Sequence, residues 1–199
     1  FICFTDDSTG IDPGVICYEM YPRESEGWWA TWSKIEIFGR EEIKKYQKKI
    51  YFDLDLVIQG SITPILEHDA DWAAIECPWK GKIFRLKHPG ESIINTSVMV
   101  WKDITWIYDK WESDWKNIVR NYRGTDYWYH VNGLRPTSLP KVFYSYREGS
   151  KPSHYWVNGM KPYLQYQPDY SVCLFHQKPD IHELDKSNRL YKIWHETVS

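Results

Sequence analysis

The run Ile50-Tyr-Phe-Asp53-Leu-Asp55-Leu-Val-Ile58 constrains this chain more than any other stretch, because an apolar, β-branched and aromatic sequence is interrupted by two acids at alternate positions. Such a run predicts a buried strand. Side chains two apart on a strand point to the same face, so Asp53 and Asp55 are expected to present two carboxylates side by side where the strand leaves the sheet. Like charges at the edge of an apolar sheet are costly to desolvate unless something neutralises them, and a divalent cation carrying a phosphate does so directly. The spacing alone is weak. With 14 Asp in 199 residues, about one Asp-x-Asp arises by chance, and a second stands at Asp69-Ala-Asp71. Context separates the two, since Asp69 and Asp71 follow Glu67-His68 in a polar stretch that reads as a loop.

Along the chain, Phe1–Phe4 and Val15–Tyr18 predict short strands around a turn-rich loop holding Asp6 and Asp7. From Trp28 to Phe38 the apolar positions Trp28, Trp29, Trp32, Ile35 and Phe38 recur at helical steps. Lys34 falls off that stripe and on pattern alone is solvated helix surface. Ser61 is placed to cap a short helix through Leu66. Trp72–Ile75, Ile93-Ile94 with Ser97–Trp101, Leu139–Tyr146 and Tyr170–Phe175 predict further strands, and Lys80–Gly90 an exposed basic loop. Between Ile104 and Tyr122 one apolar face predicts a single amphipathic helix. The related segments Val131-Asn-Gly and Val157-Asn-Gly read as two similar turns, and the tail from Asp185 as a closing helix. Strands alternating with helices, in apolar runs rather than strict alternation, predict an α/β fold: a mixed, mostly parallel sheet flanked by helices in a single domain spanning residues 1–199.

A formal net charge of -2, from 25 basic and 27 acidic residues, offers no polycationic surface, so nucleic acid is not an expected partner. No apolar run is long enough for a transmembrane segment, and no secretory leader is expected within this stretch. Cys3, Cys17, Cys77 and Cys173 are scattered singly, without zinc or small-disulfide-domain spacing, and read as core thiols of a reducing compartment. The expected location is cytoplasmic, free or membrane-peripheral. The 12 Trp and 15 Tyr are by default core, although the same rings make platforms for sugars and nucleobases. The chain opens on Phe1 within a predicted strand, so further sequence is expected before it.

His176 stands at the exit of the last predicted strand. If that strand and the Asp53/Asp55 strand end on the same edge of a sheet, two carboxylates and an imidazole meet where open α/β folds hold ligands. That set leaves positions on a six-coordinate cation for diphosphate oxygens and water, and Lys178 adds positive charge nearby. Taken in order, Gly27-Trp28-Trp29 with Lys34-Ile-Glu-Ile-Phe38, then Ile50–Val57, Ser97-Val-Met-Val-Trp101, Asp126, Leu139-Pro140 with Ser145-Tyr146, and Phe175-His176-Gln-Lys178-Pro179 resemble the blocks of glycosyltransferases with the A-type fold. The resemblance is to glycogenin-like and bacterial or viral sugar transferases.

The resemblance implies a Rossmann-like A-type fold and transfer of a sugar from a nucleotide-diphosphate sugar, UDP-sugar foremost, to a hydroxyl of a glycan, lipid or protein acceptor. It implies that Asp53 and Asp55 hold Mn²⁺ or Mg²⁺ on the diphosphate with His176 as third ligand. Lys34 would contact the donor, Lys178 the phosphates, and Ser97 and Asp126 would line the donor-sugar pocket, Asp126 and Lys34 being the catalytic candidates. Asp6 and Asp7 would lie toward the nucleoside, and anomeric configuration would be retained. Two departures stand out: Gln177 replaces the glycine usual after the histidine, and the family's first strand, which holds the nucleoside, normally precedes a segment like Phe1–Asp7. Two other readings fit parts of the pattern. In a haloacid-dehalogenase-type phosphohydrolase Asp53 would be the nucleophile and Asp55 the general acid, but further magnesium-binding acids are expected downstream. A non-catalytic sugar-binding domain would use the aromatic surface alone.

Overall fold

The computed structural model describes residues 1–20, 32–77, 86, 91–146, 165–175 and 179–196. The predicted single strand over 50–58 is two strands. β3 (Lys49–Phe52) and β4 (Leu56–Ile58) are separated by Asp53-Leu54-Asp55 and belong to different sheets. β3 pairs antiparallel with β6 (Ile94–Trp101), which pairs antiparallel with β5 (Trp72–Glu76), and β5 pairs in parallel with the short β7 (Thr137–Ser138). β4 pairs antiparallel with β9 (Val172–Phe175), which runs parallel to β8 (Phe143–Tyr146). The chain therefore changes sheets at the acids. A flat strand cannot serve two sheets, and the turn at residues 53–55 absorbs the change of direction.

The expected mixed α/β class, with sheets flanked by helices, is what the chain adopts; its described pairings divide evenly between parallel and antiparallel. Burial explains why the strands read as apolar runs. On β6, Met99 and Trp101 face a helical layer while Val98 and Val100 face a cluster shared with the second sheet, through Phe143, Val172 and Leu174. On β5, Trp72 and Ala74 divide from Ala73 and Ile75 in the same way. Both faces of the central sheet are covered, so neither needs a polar alternate position. The far side of the second sheet packs Tyr144, Tyr146 and Phe175 against Ile181, Leu184 and Leu190, the last from the closing helix Arg189–Glu196.

The helical layer holds two departures from expectation. The segment carrying Lys34 is a 3₁₀ helix, Ser33–Phe38, whose three-residue repeat stacks Trp32, Ile35 and Phe38 on one buried side. Residues 28–31 of the predicted helix, the 80–90 loop apart from Leu86, and the second Val-Asn-Gly segment lie outside the described residues. The helix expected over 104–122 is broken into Thr105–Glu112 and Trp115–Asn121. The Ser113 hydroxyl bonds the Lys110 carbonyl at 2.9 Å and Asn117 donates to the Asp114 carboxylate at 2.6 Å. Such side chains compete with the backbone ladder. The apolar stripe nevertheless continues across the break, Trp111 and Trp115 lying 6.3 Å apart.

At the beginning of the chain, β1 (Ile2–Thr5) and β2 (Ile16–Glu19) form a parallel pair. The buried Arg40 ties them to the core: its guanidinium donates to the Glu19 carbonyl at 2.7 Å and lies 4.7 Å from the Phe4 ring centroid. Cys77 and Cys173 are core thiols, while Cys3 and Cys17 are half-buried on this outer pair. Among the described residues no helix is long and apolar enough to cross a membrane.

Gly39 ends the 3₁₀ helix against the first of the two broken helices. A Cβ there would lie 2.6 Å from Tyr108 Cγ and 2.7 Å from its Cε1. Gly39→Ala is expected to destabilise the fold by about 1–3 kcal/mol, read as a drop of several degrees in melting temperature by circular dichroism. An unchanged melting temperature would show that the two elements part without cost.

Candidate active site

Asp53 and Asp55 are fixed to different sheets by their backbones. The Asp53 N–H donates to the Ser97 carbonyl of β6 at 2.8 Å, and the Asp55 carbonyl accepts from the Phe175 N–H of β9 at 3.0 Å. Leu54 between them is 93% exposed. The acids thus stand at the junction of the sheets on a turn, and not on one face of a strand as their spacing predicts. Asp53 is half-buried and Asp55 exposed. Partial desolvation and then the neighbouring Asp53 charge raise the Asp55 carboxyl above its ordinary value, with a smaller raising contribution from Asp180.

Lys34 is not surface lysine. Its ammonium donates to both Asp53 oxygens, at 2.9 and 3.1 Å, and the two side chains are only 12% and 19% exposed. Tyr51 adds a hydroxyl donor to Asp53 Oδ1 at 2.5 Å, and burial, followed by the Asp53 charge, pushes the phenol well above its usual range. On its other side the Lys34 ammonium lies 3.4 Å from the Thr96 hydroxyl. That hydroxyl in turn donates to Asp126 Oδ1 at 2.6 Å. Asp126 is in the first turn of the helix Thr125–Val131, entered through Gly124 at φ 151°, a conformation that L side chains rarely adopt.

Lys34, Asp53, Thr96, Gly124 and Asp126 line a cleft of about 320 Å³, whose described wall does not include Asp55 or Tyr51. Of the residues expected in a ligand site, Lys34, Asp53, Ser97 and Asp126 share its wall. The same wall includes Glu91 paired with Arg123, whose guanidinium lies 4.5 Å from the Tyr127 ring centroid. Sequence reasoning passed over Thr96, Tyr51 and Arg123. The signal for Thr96 was the polar trio Asn95-Thr-Ser97 opening an otherwise apolar strand; for Tyr51 it was a hydroxyl two residues before Asp53; for Arg123 there was none.

Asp6 and Asp7 lie on the exposed loop after β1 and are not part of the cleft's described wall. The Asp7 carboxylate is held below its ordinary value by Thr9, first through its hydroxyl and then through its N–H, which donates to it at 2.8 Å. His176 and Lys178 lie outside the described residues, but the residue before them, Phe175, is the one bonded to Asp55. Asp69 and Asp71 are loop residues as expected, both paired with Lys102 at 2.8 and 3.5 Å. Among the described residues, Asp180, His182 and Glu183 also bring ligand atoms within 4.8 Å of one another; there Glu183 bonds back to the Asp180 N–H at 2.8 Å within one turn. The donor set of Asp53 and Asp55 is hard oxygen, suited to Mn²⁺ or Mg²⁺. The raised proton affinity of Asp55 comes first from desolvation and then from the Asp53 charge, and a cation would offset the second of these.

No family model and no curated protein sequence matches the chain. Among solved structures, that of the galactosyltransferase LgtC in complex with donor and acceptor sugar analogs is similar, with a TM-score of 0.52 over 92% of this chain and 72% of that one, at 15% identity. At that identity the similarity shows the fold alone, a mixed α/β arrangement with sheets flanked by helices.

Because the folded state raises the proton affinity of Asp55, its ionised form costs stability. That cost is absent below the ordinary value of 3.8 and is fully present above the raised one. In metal-free buffer Asp55→Asn is therefore expected to raise the melting temperature at about pH 7, the gain shrinking as the pH falls toward the ordinary carboxylate range. A gain independent of pH would remove the electrostatic explanation.

Proposed function

We propose that the protein is a metal-dependent glycosyltransferase that moves a sugar from a nucleotide-diphosphate sugar, most readily a UDP-sugar, to an acceptor hydroxyl. One observation carries the reading: two acids two residues apart are pinned by their backbones to separate sheets, and the first of them, Asp53, shares a cleft wall with Lys34, Ser97 and Asp126. The fold shared with a galactosyltransferase, whose structure holds donor and acceptor sugar analogs, supports the same reading.

Asp53 and Asp55 would hold Mn²⁺ or Mg²⁺, with His176 as the third protein ligand. When bound, such an ion supplies positive charge to the departing diphosphate. The Lys34 ammonium donates hydrogen bonds to the donor across the cleft, and Lys178 supplies charge toward the phosphates. The Asp126 carboxylate, oriented by the Thr96 hydroxyl, accepts from sugar hydroxyls, and Ser97 lies on the same wall. In the reaction the anomeric carbon exchanges its bond to a phosphate oxygen for one to the acceptor oxygen, whose proton is released. Groups fixed before the reaction stabilise the developing charge without reorganising. Asp6 and Asp7 would lie toward the nucleoside.

Calorimetric titration with a panel of UDP- and GDP-sugars, with and without Mn²⁺, followed by turnover assays, tests this directly. Metal-dependent hydrolysis or transfer is expected, falling about 100-fold or more in Asp55→Ala or His176→Ala. Turnover of phosphomonoesters with sugar nucleotides ignored would assign a phosphohydrolase instead. Glycan binding without turnover would assign a binding domain.

A further inference from the structure

We propose that Thr96 and Asp126 form a second seat for the Lys34 ammonium, and that Lys34 passes from Asp53 to this seat when Asp53 takes up a divalent cation. The proposal rests on the reading of Asp53 and Asp55 as metal ligands. Its starting point is that the ammonium lies 2.9 and 3.1 Å from the two Asp53 oxygens, so one charge already covers the atoms a cation would use. Lys34 and a metal compete for the same carboxylate.

The competition needs an exit. Lys34 is largely enclosed, its side chain 12% exposed, and Thr96 is 1% exposed. An ammonium expelled from one carboxylate in such a place is costly unless a second one receives it. Asp126 is that group. The Thr96 hydroxyl stands between, 3.4 Å from the ammonium and 2.6 Å from Asp126 Oδ1. The first distance is long for an ammonium donor and leaves room to close, while the second is a full hydrogen bond. A lysine's flexible four-carbon stem makes a movement of that size accessible.

Thr96 is then a positioning residue. It holds Asp126 toward Lys34 and offers the ammonium an acceptor as it moves. The consequence for the cleft is one of order: the ammonium joins the Asp126 wall once the cation is loaded, so the sugar-facing wall is completed after the diphosphate-facing one.

The test is the Mn²⁺ affinity of the full chain, read by calorimetry or by the paramagnetic resonance of free Mn²⁺, and needs no turnover. Asp126→Asn and Thr96→Val are each expected to weaken Mn²⁺ binding about ten-fold, because the displaced Lys34 ammonium then loses the receiving seat. Thr96→Ser, which keeps the hydroxyl, retains normal affinity. In a Lys34→Gln background the Asp126→Asn effect disappears. Equal weakening by Asp126→Asn with and without Lys34, or no weakening in either single variant, overturns the proposal while leaving the metal site standing. Absence of Mn²⁺ binding by the unaltered protein overturns the metal reading and this proposal with it.

Discussion

The contact between Lys34 and Asp53 joins the parts of this molecule that matter for its chemistry. It links a 3₁₀ helix in the helical layer to the turn where the chain leaves one sheet for another, and through Thr96 it reaches the helix that carries Asp126. Pairs this enclosed gain little stability, because desolvating two charges offsets most of their attraction. Losing one partner is different, since it strands the other charge in a poorly solvated place. The arrangement is better understood as fixing geometry than as holding the fold together.

What holds those elements in place is aromatic packing. Trp32, next to the start of the Lys34 helix, contacts Trp128 on the Asp126 helix at 6.3 Å, and Trp72 of the central sheet meets Tyr129 edge-on at 5.2 Å. Phe38 and Trp101 add a second perpendicular pair at 5.3 Å. Rings of this size bury large apolar areas and have few rotatable bonds. The high Trp and Tyr content is therefore used in good part behind the cleft, as core. Tyr129 is fully buried with a hydroxyl that finds no hydrogen-bond partner among the described residues, and burial followed by the Asp126 charge pushes its ionisation well up.

Much of this was legible in advance, for physical reasons that differ from place to place. The stripe at Trp32, Ile35 and Phe38 correctly named core residues, although its three-residue step belongs to a 3₁₀ rather than an α-helix. The stripe from Ile104 to Tyr122 is likewise real packing, yet it conceals a break at Ser113-Asp114, because periodicity records which side faces the core and not whether the backbone ladder is continuous. The strand over 50–58 was misjudged for a related reason. Apolar residues on both sides of Asp53-Leu54-Asp55 serve two different sheets, and a one-dimensional pattern reads two adjoining strands as one.

The amino-acid sequence by itself determined that buried strands alternate with amphipathic helices, that two acids interrupt one of the apolar runs, and, through the helical stripes, that Trp32, Phe38 and Trp111 face the core. These are local properties, set by side-chain chemistry and spacing. The pairing of Lys34 with Asp53, the Thr96 hydroxyl between Lys34 and Asp126, and the attachment of the acids to Ser97 and Phe175 were decided only by tertiary structure. Partners 19 to 120 residues apart leave no periodic mark on a sequence, because nothing but the closing of the sheets brings them within hydrogen-bonding distance.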